Sequence, residues 1–152
     1  MSVSPIPEGY HSVTPYLIVK DAAKALEFYK AAFDAVTMLR LDTPDGGVAH
    51  AEMKIGDSPV MLADENVDMG ALSPETVGGS PLSLMLYVEN VDAVFRQAVD
   101  AGAIVHRDLE NQFYGDRTAT IHDPFGHHWT LATHIENVSP EELERRFQEM
   151  MS

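Results

Sequence analysis

Apolar and polar positions follow one another in the same order twice along this chain. Tyr16-Leu17-Ile18-Val19-Lys20-Asp21 reads as a strand and Ala22–Phe33 as the helix after it. Met85-Leu86-Tyr87-Val88-Glu89-Asn90 and Val91–Gly102 repeat that order. Each half then runs through an alternating stretch, Val48–Ile55 or Thr118–Ile121, into a glycine-containing turn and a last strand, Pro59–Ala63 or His128–Thr133. Two copies of strand–helix–three strands predict an α+β protein: two βαβββ modules forming a cupped mixed sheet with outer helices, plus a C-terminal helix.

The helix ends carry their own signals. Asp21 is an N-cap, and Leu26, Tyr29 and Phe33 after it share one helical face. Asn90 plays the same part for Val91, Val94, Phe95 and Ala98, and Gly102 is a natural stop. Near the end, Ser139, Pro140 and Glu142 form a capping box ahead of the apolar stripe Leu143, Phe147 and Met150 or Met151. These signals predict a single domain over 1–152, with modules at 10–64 and 82–136, a linker at 65–81 and a helix at 139–151. The polar, glycine- and proline-containing stretch Asp64–Pro81 reads as a linker or a mobile flap over a site.

Strand parity sorts the side chains, because successive residues point to opposite faces. Ala49, Ala51, Met53 and Ile55 are expected toward the helix, leaving Val48, His50, Glu52 and Lys54 on the other face. In the second half Ala119, Ile121, Trp129 and Leu131 are the helix-facing set, with Thr118, Thr120, His122, His128, Thr130 and His134 opposite. The first strands add Thr14, Tyr16 and Ile18, and Ser83, Met85 and Tyr87. Two sheets curling toward each other would line one concavity with these residues. The expected ligand-binding set is Thr14, Tyr16, His50, Glu52, Ser83, Tyr87, Thr120, His128 and Thr130, a mixed polar and aromatic lining suited to a small molecule.

Charge and composition narrow the partners. A formal charge of −14 argues against nucleic acid and anionic membrane, both of which need clustered Lys and Arg. The acidity itself reads as a well-solvated surface. No apolar run approaches a membrane span, and Met1–Tyr10 lacks the basic start and apolar core of a leader. The absence of cysteine excludes disulfides and thiolate chemistry and agrees with a cytoplasmic location. The expected partners are a small-molecule ligand and, to cover the sheet edges and the apolar stripe of the last helix, a second copy in a homodimer.

The run Gly115-Asp116-Arg117 … Asp123-Pro124-Phe125-Gly126-His127-His128-Trp129-Thr130 resembles the PhnB-like branch of the glyoxalase/bleomycin-resistance/dioxygenase (vicinal oxygen chelate) superfamily. The opening Val13-Thr14-Pro15-Tyr16-Leu17 … Asp21-Ala22-Ala23 and the middle His50-Ala51-Glu52 … Gly56-Asp57-Ser58 resemble the same branch. The resemblance spans from about Val13 to the C-terminal helix. It implies paired βαβββ modules, a cupped sheet, and a dimer in which modules often pair across subunits. Members of that superfamily isomerise, cleave or conjugate small substrates at a divalent metal, or sequester a drug.

The chain departs from the metal-dependent members. Their ligand positions on the first and last strands fall here on Thr14, Ser83, Val60–Leu62 and Thr130. None offers imidazole or carboxylate, and hydroxyls compete poorly for a transition metal. No metal or other cofactor is therefore expected at those positions. His50 and Glu52 are candidates for acid–base chemistry or ligation, set against a plain cross-strand hydrogen bond on a polar face, and His128 is a third candidate. His127 and His128, adjacent on a strand, point apart and cannot share a site. Asp116-Arg117 reads as an anion clamp or as a structural ion pair. The function expected is a small-molecule-binding protein without the family metal. The alternative is an enzyme of the same fold, a lyase, isomerase or transferase, using His50, Glu52, His128 or a relocated metal.

Overall fold

The helices begin where the cap residues put them. The carboxylate of Asp21 accepts from the backbone N–H of Lys24, and the side chain of Asn90 from that of Ala93, each at 3.1 Å. The computed structural model describes residues 2–152. Its first half holds β1 (Tyr16–Val19), α1 (Ala22–Phe33), β2 (Val36–Asp42), β3 (Val48–Ile55) and β4 (Ser58–Asp64). A 3-10 turn (Val67–Met69) and the short α2 (Pro74–Val77) then lead to the second half. That half holds β5 (Ser83–Tyr87), α3 (Val91–Ala101), β6 (Ile104–Asn111), β7 (Asp116–His122), β8 (His128–His134) and finally α4 (Pro140–Met151).

Two four-stranded mixed sheets result, in the orders β1-β4-β3-β2 and β5-β8-β7-β6. In each, the first strand pairs parallel with the last, Tyr16 opposite Met61 and Met85 opposite Thr130. The remaining pairs are antiparallel. The expected α+β class and double βαβββ order hold. The second strand of each module carries no alternation that locates it in the sequence, because β2 is an edge strand exposed along its whole length and β6 nearly so.

Parity is right for most of the core. Ala51, Met53 and Ile55 in one sheet, and Ala119, Ile121, Trp129 and Leu131 in the other, are buried. It fails at the start of β3, where Val48 is 1 % exposed and Ala49 is open to solvent. The pairing of β2 with β3 shifts there: Leu41 faces His50 and Asp42 faces Val48, so Ala49 has no partner. An extra residue in one strand reverses the alternation beyond it, which turns Val48 inward.

The modules are stitched together by side chains of the Asp123–Trp129 turn. The Asp123 carboxylate is 2 % exposed and accepts four hydrogen bonds. One oxygen takes the backbone N–H groups of Phe125 (2.9 Å) and His127 (3.0 Å). The other takes the indole N–H of Trp129 at 2.9 Å and the hydroxyl of Tyr29 from α1. Around it, Phe33 and Tyr29 pack on Trp129 with ring centroids 4.9 and 5.6 Å apart. Two more ties cross between modules: His127 Nε2 with the Ile18 carbonyl at 2.9 Å, and Gln97 Nε2 donating to the Ala32 carbonyl at 3.1 Å. His127, which parity sets apart from His128, is one of these ties.

The 65–81 connector is anchored, not free. Ser73 is fully buried, and its N–H and hydroxyl both donate to Glu65, at 2.8 and 2.9 Å. Pro74 then lies on the Asp123–Gly126 turn. Gly126 has φ +95°, and a Cβ there would meet the Pro74 Cβ at 2.7 Å.

Two stability predictions follow from these contacts. Asp123→Ala leaves four donors without an acceptor, each worth about 1–3 kcal/mol. The net loss should reach roughly 3–5 kcal/mol in urea unfolding; a loss below about 1 kcal/mol would show that the carboxylate does not hold the turn. Gly126→Ala should cost about 1–3 kcal/mol for the left-handed backbone, plus the clash with Pro74. Pairing it with Pro74→Gly should recover the clash component only.

Candidate functional site

His50 and Glu52 lie two apart on β3 and share the face of the first sheet that α1 does not cover. His50 Nε2 sits 2.8 Å from Glu52 Oε2, and His50 Nδ1 sits 2.8 Å from the hydroxyl of Tyr16 on β1. The other Glu52 oxygen accepts from the hydroxyl of Tyr10, in the segment that crosses this face before β1. A carboxylate only accepts, so Nε2 carries a proton, and in the neutral form of the ring Nδ1 accepts from Tyr16. The four side chains form one chain of bonds: Tyr16 to His50 to Glu52, with Tyr10 on the far oxygen.

Charge states follow from the contacts. Hydrogen bonds from Tyr10 and His50 hold the Glu52 carboxyl below its usual range. Tyr10 is pushed up, chiefly by its bond to Glu52. Tyr16 is pushed up by partial burial and by the nearby Glu52 charge. Both phenols therefore remain neutral near pH 7, and Tyr16 is no tyrosinate nucleophile. With its proton committed to His50, the Tyr16 oxygen presents lone pairs outward.

Tyr16 also lines a cavity of about 550 Å³, within the size range of small-molecule pockets. Its lining joins Tyr16 and Ile18 of β1 to the connector at Asn66, Met69 and Ala71. Asp64 and Glu65 give the wall two carboxylates. Asp64 is held by the backbone N–H groups of Ala22 and Val48, both at 2.7 Å. The connector thus covers one end of the open face.

The second sheet carries a separate polar set. Tyr87 donates to Asp116 at 2.6 Å; the other Asp116 oxygen lies 2.7 Å from His134 Nδ1, and His134 Nε2 lies 2.8 Å from Asn137 Oδ1. The bond to Asp116, then that to Asn137, pushes the His134 imidazolium up. Thr120 and Thr130 hydroxyls meet at 3.3 Å. Ser83 starts β5 opposite His128, and His128 stacks on His122 with centroids 3.8 Å apart. Arg117 is engaged by Asp92 at 2.7 and 3.1 Å, the structural ion pair and not an open clamp.

The residues expected in one concavity therefore lie on two open faces. Among the described residues no hydrogen bond or ring contact joins Tyr16, His50 or Glu52 to Ser83, Tyr87, Thr120, His128 or Thr130. The modules share a core on their helix sides, through α1 packed on α3, so the open sides do not meet within one chain. Thr14 falls before β1, its hydroxyl donating to the His11 carbonyl at 3.2 Å. Tyr10, and Asp116 as a bond hub, belong to no pattern that a strand or helix period picks out, whereas the Asn66–Ala71 wall lies in the stretch whose composition reads as a linker or a flap over a site.

The metal positions of the superfamily do not fit a metal here. Val60 and Leu62 are buried core residues, and the Thr14 and Thr130 hydroxyls are engaged as described. Ser83 adds only one more hydroxyl.

The model of the Glyoxalase/Bleomycin resistance protein/Dioxygenase superfamily matches residues 9–131. An uncharacterised protein of Mycobacterium tuberculosis, Rv0887c, is 42% identical over 136 residues, covering 88% of this chain and 80% of its own length. The X-ray structure of the At5g48480 product of Arabidopsis thaliana aligns with a TM-score of 0.65 at 25% identity, over 81% of this chain and 98% of that one. A PhnB protein of Bacillus cereus, 20% identical, aligns with a TM-score of 0.63 over 81% of this chain and 99% of its own, a likeness of fold. The chain belongs to the glyoxalase/bleomycin resistance protein/dioxygenase superfamily.

Proposed function

We propose that this member of the superfamily binds a small molecule without the family metal, in the cavity beside Tyr16. The observation that carries the reading is the Tyr16–His50–Glu52 chain at the edge of that cavity. It fixes the Tyr16 hydroxyl so that an acceptor, not a donor, faces the ligand. Together with Asp64 and Glu65 in the wall, this favours a neutral or cationic ligand bearing O–H or N–H groups over an anionic one. The phenol held neutral weighs toward binding over the alternative, in which His50 and Glu52 serve acid–base catalysis.

A homodimer and a cytoplasmic location are part of the same proposal. Leu39 and Leu41, paired with Glu52 and His50 on the first open face, and Met85 and Tyr87 on the second, are exposed apolar side chains. A second copy would cover them and bring a first-sheet face against a second-sheet face. The cysteine-free composition suits a reducing compartment.

Thermal-shift screening should separate ligand classes, with basic and hydroxylated aromatics raising the melting temperature and small carboxylates leaving it unchanged. For a hit, His50→Ala should weaken binding by about 1–3 kcal/mol, roughly 5–150-fold, with little change in melting temperature. Equal weakening by His11→Ala would remove His50 from the site, and turnover of the hit would favour the enzyme. Light scattering at micromolar concentration should give twice the chain mass of 16.7 kDa. A monomer would refute the paired faces.

A further inference from the structure

The opening segment, residues 2–13, crosses the first open face on a single anchor. Residues 2–9 and 11–13 are exposed, and Tyr10 between them is half-buried. The chain reverses over residues 7–10, with the Tyr10 N–H donating to the Pro7 carbonyl at 3.0 Å. Gly9 has φ +84° there, the conformation that the third residue of a type II turn takes. The turn delivers the Tyr10 hydroxyl to the Glu52 oxygen that His50 leaves free. Among the described residues, the segment's other bond beyond the turn is local, from the Thr14 hydroxyl to the His11 carbonyl at 3.2 Å. His11 and Val13 also line a cleft of about 220 Å³ between the modules, but Val13 is 85 % exposed, so packing adds little hold.

The two covers of this face are therefore unlike. The connector is pinned by the fully buried Ser73, whose N–H and hydroxyl both donate to Glu65. The opening segment is pinned by one phenol on one carboxylate. That phenol supplies Glu52 with an O–H donor, which is the chemistry a bound ligand would supply. We propose, on the reading of this face as a ligand site, that residues 2–13 are a displaceable strap, and that Tyr10 fills a Glu52 subsite which a ligand's O–H or N–H donor takes on binding.

Both the closing and the opening have a physical basis. The acceptor is charged, which strengthens the bond over one between neutral groups. Residues 11–15 tether the phenol to β1, so it returns to Glu52 at an effective concentration on the order of millimolar. A free ligand competes with that tethered donor, and its apparent affinity falls in proportion to the fraction of chains with the strap open. Release breaks one side-chain bond and exposes little apolar surface, so it needs no unfolding of the sheet beneath. His50 keeps its bonds to Tyr16 and to the other Glu52 oxygen when the strap leaves, so the relay is ready for the ligand.

Limited chymotrypsin digestion reads the strap directly. The protease must take the ring of residue 10 into its own pocket, so a cut after that residue requires the ring off Glu52. Tyr10→Phe keeps a cleavable ring and removes the hydroxyl alone. Cutting after residue 10, identified by product mass, should be about ten-fold or more faster in Tyr10→Phe than in the native chain. Tyramine, which carries a phenol and an ammonium, is the ligand probe. In calorimetric titration it should bind Tyr10→Phe about ten-fold more tightly than the native chain. It should also speed the cut in the native chain, after correction for its effect on cleavage of a free peptide. Melting temperatures establish that both chains are folded. Equal cutting rates, equal tyramine affinities, or slower cutting with tyramine would overturn the strap and leave the site standing. Tyramine binding to neither chain would refute the reading of the face as a site, and the Glu52 subsite with it.

Discussion

A buried carboxylate joins the two halves of this protein. Taking an ion such as Asp123 out of water costs several kcal/mol unless its lone pairs are filled. Four donors fill them here, and they come from two modules: the turn itself, Trp129 on β8 and Tyr29 on α1. Burial and the adjacent Asp123 charge push the Tyr29 phenol far up, so it stays a donor. Aromatic pairs such as Phe33 with Trp129 add about 0.5–1.5 kcal/mol each, but such contacts tolerate rearrangement. The carboxylate sets where α1 meets the second sheet. The placement of α1 against α3, and the outward direction of both open faces, follow from that.

Several other acidic residues do similar structural work. Asp64 binds the starts of α1 and β3, Glu65 holds the connector through Ser73, and Asp116 gathers Tyr87 and His134. The high negative charge is thus more than a solvated coat. These carboxylates serve as acceptors for backbone and side-chain donors that the short strands leave unpaired. The same arrangement sets the chemistry of the candidate site, since Glu52 orients His50 and His50 in turn orients Tyr16.

The two open faces differ in character. The first has a relay whose polar atoms are satisfied within the chain, beside a cavity walled by the connector. The second has a buried Asp116 hub at one end and, at the other, the stacked rings of His106, His122 and His128. The two modules of one repeated plan thus present open faces of different polar character.

The double βαβββ order was legible in the sequence because burial on one side only imposes a period of two on β3, β7 and β8, and cap residues mark where α1, α3 and α4 begin. Parity also put His50 and Glu52 on one face, and Trp129 in the core, from local geometry alone. The edge strands β2 and β6 were not legible, since strands open on both faces need no alternation. Nor was the reversal at Val48, which a single unpaired residue, Ala49, produces. Whether the two polar sets share one concavity depends on how the modules dock. That is decided by contacts between residues 94 apart in the chain, Tyr29 and Asp123, which no local period encodes. Tyr10 over Glu52 and the stacking of His106 on His122 and His128 arise in the same way, from chain segments that only the tertiary structure brings together.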